Sequence, residues 1–410
     1  MRASRIAAAV LALGTGGAWA ADVEVHSNTL IGGRPDVVDG QVKTVVPLYE
    51  QVGLRARNLP MPGFADVGVS VDAWGGLILP GSPSGLAASD VNLAFIEGKL
   101  FKKRLKLRLG RQFVVGGTAR ANSFDGLLAD YTSQSGLGLS TFVGVPVERR
   151  FSNTLRGDFV FGTRAYWGPS IQTQVGLSYV HMLKRGALSR QEVGLDARWQ
   201  PLRSLGFSGA LIWCVADTRF SEIDVGPRWT PTQNLEVLLN YRRTAPELFL
   251  PLNSIFTVFA DTNRDDLGLS VGWQFTRALS ILGDARLLWI NGEQGYDVGA
   301  RLGFKPQRAT SVTAQYHRLQ VPANGYHQGR IGARHLLPSG LGLAVDLETY
   351  VLDKAIRDQT VSFSASTTAT YAIGRSWLAG VTLFAATTPT FESRYEVIGK
   401  LSYVFASEGR

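Results

Sequence analysis

Apolar and polar residues alternate along most of this 410-residue chain. In 191–200, Val193, Leu195, Ala197 and Trp199 share one face, while Glu192, Asp196, Arg198 and Gln200 share the other. In 235–242, Leu235, Val237, Leu239 and Tyr241 oppose Glu236, Asn240 and Arg242. Segments 171–180, 296–305 and 361–371 repeat the pattern. A period of two predicts β-strands with one apolar and one polar face.

Turn signals interrupt the alternation every ten to twenty residues or so, and they come in two kinds. One is tight: WGPS, WQPL, WTPT, FTRA, FKPQ, LLPSG, IGRSW. The other is longer and more polar: VERRFSNTLRGD, LKRGALSR, VPANGYH, VLDKAIRDQ and the stretch from Thr244 to Asp265. Short and long connections in alternation predict an all-β, antiparallel, up-and-down transmembrane barrel with short periplasmic turns and longer outer loops. Counting strands from VEVHSNTL to Phe405 gives about 22, with 18 or 20 as alternatives; termini on one side require an even number. A single sandwich does not hold so many strands, and a propeller would carry a blade repeat of about 40 to 50 residues, which is absent.

The tight turns share a phrase. An aromatic residue precedes proline by two positions at Trp167, Trp199, Trp229 and Phe304. Phe275 and Tyr371 take the same place before other tight turns, with Trp273 one step above Phe275 and Trp377 opening the strand after Tyr371. Amphipathic rings settle at headgroup level, so such a row marks one membrane interface. The proline, lacking a donor, is expected to end the strand ladder there. In RYEVIGKLSYVF, the face that includes Tyr403 and Phe405 resembles the terminal strand by which outer-membrane barrels are recognised by their assembly machinery. A five-residue tail follows Phe405, where that signal commonly ends at the aromatic residue.

Residues 1–20 read as a secretory signal peptide: a basic start, an apolar stretch, and Ala18-Trp19-Ala20 as the cleavage site. Residues 21–410 then form one barrel domain in the outer membrane, surrounded by its lipid. The one cysteine, Cys214, excludes an internal disulfide and a cysteine metal cluster. A net charge of +9 is spread among acids and does not form the patch that nucleic acid requires. The five histidines sit in no catalytic or metal motif, so neither an enzyme nor a cofactor is expected.

With the apolar face on lipid, the polar face lines the interior. Arg55, Arg57, Lys106, Arg108, Arg164, Arg198, Arg228, Arg242, Arg286 and Arg301 are expected there, with Asp196, Asp224 and Asp284. Arg330, Arg334, Asp72, Asp158, Glu192, Glu222, Asp297, Asp346 and Glu348 join them. A lumen so wide holds water or a plug, and no plug domain is visible in the sequence. Mixed charge would favour polar solutes with mild anion preference. The long 244–265 connection has an apolar middle and is expected to fold into or over the pore.

The run LKLRLGRQFVVGG…FDGLLADY, with Gly110, Arg111, Gln112, Asp125, Gly126 and Leu127, resembles strands of carbohydrate-specific porins and alginate-type export barrels. That resemblance covers about thirty residues. It implies a lean toward carbohydrate or anionic exopolysaccharide export, with a periplasmic export partner. A nutrient-uptake porin and a non-conducting anchor for an envelope complex are the alternatives.

Overall fold

The computed structural model describes residues 22–38, 41–79, 87–147, 158–170, 172–248, 263–389 and 391–407. The expected signal peptide and most of the 244–265 connection lie outside them. The alternating segments all become strands. In order they are β1 Asp22–Val38, β2 Gln41–Val45, β3 Pro47–Arg57, β4 Asp66–Ile78, β5 Ala88–Leu100, β6 Leu105–Val115, β7 Ala121–Thr132 and β8 Leu137–Pro146. Then come β9 Phe159–Ser170, β10 Thr173–Lys184, β11 Ala187–Leu202, β12 Leu205–Cys214, β13 Arg219–Thr232, β14 Leu235–Thr244, β15 Arg264–Gln274 and β16 Leu279–Ile290. The last are β17 Glu293–Gln307, β18 Thr310–Gln320, β19 Gly325–Leu336, β20 Leu341–Ile356, β21 Gln359–Ile373, β22 Trp377–Thr388 and β23 Phe391–Ser407.

From β3 to β23 each strand pairs antiparallel with the next in sequence, and β1 pairs β23 from Val23↔Ser407 to Gly33↔Val397, which closes the sheet on itself. β1 also pairs β3 over its first half and β2 over its second. β2 and β3 are therefore one broken strand, and the barrel has 22 staves. Closure leaves no free edge, as a bilayer demands. The described ends, Asp22 and Ser407, lie at one rim. Connections there run from two to eight residues, against two to nineteen at the far rim.

Two segments read as long polar connections are instead strand. LKRGALSR narrows to a turn at Arg185 and Gly186, and VLDKAIRDQ to one at Arg357 and Asp358. Positive φ at Arg185, Gly186, Arg357 and Asp358 supplies the tight reversal. These hairpins carry the polar face beyond the apolar band, so composition alone made them look like loops.

The prolines also act differently from expectation. β11, β13 and β17 run past the aromatic-x-proline phrase and close on Leu202↔Leu205, Thr232↔Leu235 and Gln307↔Thr310. The ladder slips between Trp199 and Leu202, between Trp229 and Thr232, and between Phe304 and Gln307. Pro201, Pro231 and Pro306 each sit in that irregularity, where no hydrogen-bond donor is called for. They mark a bulge within the strand, not its end.

The outer face is the apolar one. Trp167, Trp199, Trp229, Trp273, Phe304, Tyr371, Trp377 and Phe405 are exposed and stand near the terminal rim. Phe275 lies in the turn after β15, stacked on Trp273 at 4.1 Å between ring centroids. Tyr403 is half-buried against Trp377 at 4.5 Å, and Trp199 stacks on Phe207 at 5.6 Å across the β11–β12 pair. At the far rim Trp213 meets Phe220 edge-on at 4.9 Å. An apolar band between two aromatic levels matches a bilayer-spanning surface.

Candidate functional site

Inside, one stretch of wall is not polar. Phe124, Leu128, Phe142, Val160, Val180 and Met182 project inward from β7 to β10 and form a buried cluster. Strand parity permits this because Phe124 and Leu128 share the face of Gly126, opposite the outward Leu127. A row of glycines, Gly110↔Gly126↔Gly144, crosses the sheet here. A Cβ at Gly126 would lie 2.1 Å from the Val143 carbonyl oxygen, and one at Gly144 would lie 2.3 Å from that of Asp125. No side chain fits, so glycine is what lets these backbones approach so closely.

The β6–β7 connection folds over this cluster into the lumen. Gly116 and Gly117 take φ of 108° and 54°, and a single 3-10 turn, Gly117–Ala119, follows. Ala119 packs on the apolar cluster. Thr118 donates its amide to Ser178 Oγ at 3.0 Å, and Arg190 donates to the Thr118 carbonyl oxygen. Gly194 makes room: a Cβ there would meet Thr118 Cγ2 at 2.8 Å.

Arg120 completes the attachment. Its guanidinium donates to Glu192 Oε2 at 2.6 Å, to Glu222 Oε2 at 2.7 Å and to Ser221 Oγ at 3.0 Å. Arg190 reaches the same Glu192 at 2.7 Å, and Ser221 donates to it at 2.5 Å. Two bulges arrange these groups. The ladder slips between Met182 and Leu183 opposite Arg190, and between Ile212 and Trp213 opposite Ser221. The second slip lets the consecutive Ser221 and Glu222 both face Arg120. Glu192 has 0% exposure, so its charge stays buried only because two guanidiniums and a hydroxyl meet it. Burial lowers the pKa of Arg120, but the bonds and charges of Glu192 and Glu222 together outweigh it and hold the group above its ordinary value. The loop is thus pinned across the inside of the barrel from β7 to β13.

By register, the strand residues named for the interior share the sheet face of Glu192 and Glu222, and by their contacts many of them divide into two groups. Lys106–Asp130, Arg108–Glu97, Arg164–Asp196, Arg228–Glu236 and Arg242–Asp224 are ion pairs at 2.5 to 3.6 Å. Arg55, Arg57, Arg198, Arg286 and Arg301 have no ion-pair partner among the described residues, and neither does Asp284. Direct cross-strand pairing makes three of these, Lys106 opposite Asp130, Arg108 opposite Glu97 and Arg242 opposite Asp224, whereas Arg164 reaches over Gly176 of β10 to Asp196 and Arg228 meets Glu236 diagonally. Arg111 lies elsewhere. It shares the outward face of Leu109 and binds Asp125 at 2.8 Å and Asp90 at 3.0 Å.

Sequence reasoning placed Glu192 and Glu222 inside but missed Arg120, Arg190 and the apolar cluster. A signal was present in VVGGTARA, where paired glycines precede an arginine next to strands of unusual apolar content. The constriction expected of 244–265 falls largely outside the described residues. Of that connection the structure shows Ala245 and Leu248 packed on the buried Cys214.

No family model matches the sequence, and no curated protein does. Solved structures do resemble it. The crystal structure of Pseudomonas aeruginosa OccK9 (OpdG) has a TM-score of 0.50 at 14% identity, covering 94% of this chain and 98% of that one. The P pilus usher (PapC) translocation pore also has a TM-score of 0.50, at 8% identity, covering 94% of this chain and 99% of that one. At such identities the likeness concerns architecture: this chain has the fold of a bacterial outer-membrane β-barrel of porin-like type.

Proposed function

We propose that the barrel is a water-filled channel that passes small polar solutes across the outer membrane, with the 116–120 loop as an inner narrowing. The observation that carries this is the loop itself, held inside the lumen by a buried charge network. A barrel that served only as an anchor needs no ordered lumen. Twenty-two staves enclose more space than strand side chains fill, and the described residues supply wall and connections but no plug. Inward arginines without partners support a preference for anions.

Passage of small solutes is supported over export of a polysaccharide, because a polymer needs an unobstructed bore and the loop lies across part of it. The reading takes the protein to be a channel without a reaction of its own, delivered by the leader at 1–20 and inserted through its C-terminal strand. Swelling of proteoliposomes in isotonic sugars tests it. Rates should fall steeply from mono- to tetrasaccharide. Equal entry of all sizes together with passage of an anionic polysaccharide would replace it with the exporter reading, and no swelling at all would leave the anchor.

A further inference from the structure

On the wall across from the latched loop, three potential metal ligands converge. Asp284 on β16, Gly299 on β17 and His317 on β18 lie in one straight cross-strand row. All three face the lumen. Gly299 has no side chain, so its neighbours lean in from both sides. A Cβ there would lie 2.9 and 3.0 Å from the Asp284 oxygens and 3.1 Å from His317 Cδ2. Asp297 stands on the same face of β17, two residues before Gly299. One ligand atom from each of Asp284, Asp297 and His317 lies within 4.8 Å of the other two.

We propose that Asp284, Asp297 and His317 form a binding site for a divalent transition-metal ion on the lumen wall. Two further observations separate it from an ordinary ion pair. Asp297 Oδ1 touches His317 Nε2 yet makes no hydrogen bond of acceptable geometry, and Asp284, leaning over Gly299 toward both, has no ion-pair partner among the described residues. Ligand atoms that face one another without an oriented proton between them suit a cation placed among them. The natural competitor is turned away. Arg286 is opposite Asp297 in register, but its side chain lies over Gly268, whose Cβ would be 3.3 Å from Arg286 Cγ. Arg286 forms no ion pair with either carboxylate among the described residues.

One imidazole and two carboxylates select borderline ions such as Zn²⁺, Mn²⁺ or Ni²⁺ over Mg²⁺ and Ca²⁺, which take oxygen alone. Three protein ligands leave the remaining positions to lumen water or to an anionic solute. A bound ion cancels two negative charges on this wall, so it raises the anion preference of the lumen.

Calorimetry on the untagged, folded full chain in detergent tests this, with ZnCl₂ as probe and MgCl₂ as control. The result expected is one saturable Zn²⁺ site of micromolar affinity and no Mg²⁺ binding. Asp284→Asn, Asp297→Asn and His317→Ala should each weaken Zn²⁺ by about tenfold or more. His26→Ala, which removes the separate His26–Asp72 contact at 3.4 Å, should leave it unchanged. Heat-modifiable gel migration confirms that each variant is folded. Lack of saturable Zn²⁺ binding below millimolar concentration overturns the site. So does binding that survives Asp284→Asn, which would reduce it to the His317–Asp297 pair. The binding readout does not depend on conductance, so failure here is distinct from failure of the channel reading.

Discussion

Replacing Arg120 by Gln should loosen the loop without opening the barrel wall. Gln keeps the Cβ at the φ of 51° that Arg120 already adopts, so backbone strain is unchanged. It removes charge-assisted bonds to Glu192 at 2.6 Å and Glu222 at 2.7 Å. Breaking a buried pair typically costs about 3–5 kcal/mol. Here Glu192 keeps Arg190 and Ser221, so the lower end applies, about 3 kcal/mol. At about 1.4 kcal/mol per factor of ten, the released population rises roughly 150-fold. Single-channel recording reads this directly. Wild-type current should be quiet, whereas Arg120→Gln should flicker to a higher level as the loop leaves the lumen. A double-mutant cycle with Glu192→Gln should give a coupling of about 1–3 kcal/mol in folded-state stability. Identical conductance and noise in folded Arg120→Gln would refute the claim that this network holds the narrowing.

Other consequences can be read independently. Gly126→Val should prevent folding, seen as loss of heat-modifiable migration, because its Cβ would lie 2.1 Å from a backbone oxygen; Gly272→Ala, with nothing closer than 3.7 Å, should fold normally. Arg301→Glu should move the reversal potential in a salt gradient toward cations. Arg242→Gln should move it less, since it removes one charge where Arg301→Glu inverts one, and it leaves Asp224 unpaired. Trp199→Ala should lower stability in lipid vesicles by about 1–2 kcal/mol through loss of the Phe207 stack and interfacial anchoring, measured by urea titration.

How far the sequence could be read follows from what each feature depends on. Strand identity and facing are local, so Val193, Leu195 and Trp199 against Glu192 and Asp196 showed both at once. The rim aromatics and the even number of staves follow from the same local pattern. The apolar lumen cluster broke the assumption that apolar means lipid-facing: Phe124 and Phe142 lie inside because a loop five residues long covers them. The latch joins Arg120 to Glu222 across 102 positions, and no periodicity reports such a meeting. Bulges at Ser221 and beside Arg190 shift parity by one residue and are invisible to a period-two count. Proline was legible as an irregularity at the rim but was misread as a strand end, since a bulge and a terminus both dispense with one donor.

The proposed channel requires an aqueous path through this barrel past the latched loop. Single-channel recording of the untagged wild-type chain in a planar bilayer under a salt gradient tests it most directly. Discrete ohmic steps with a reversal potential on the anion side are expected. Insertion of folded protein without any conductance step would contradict it.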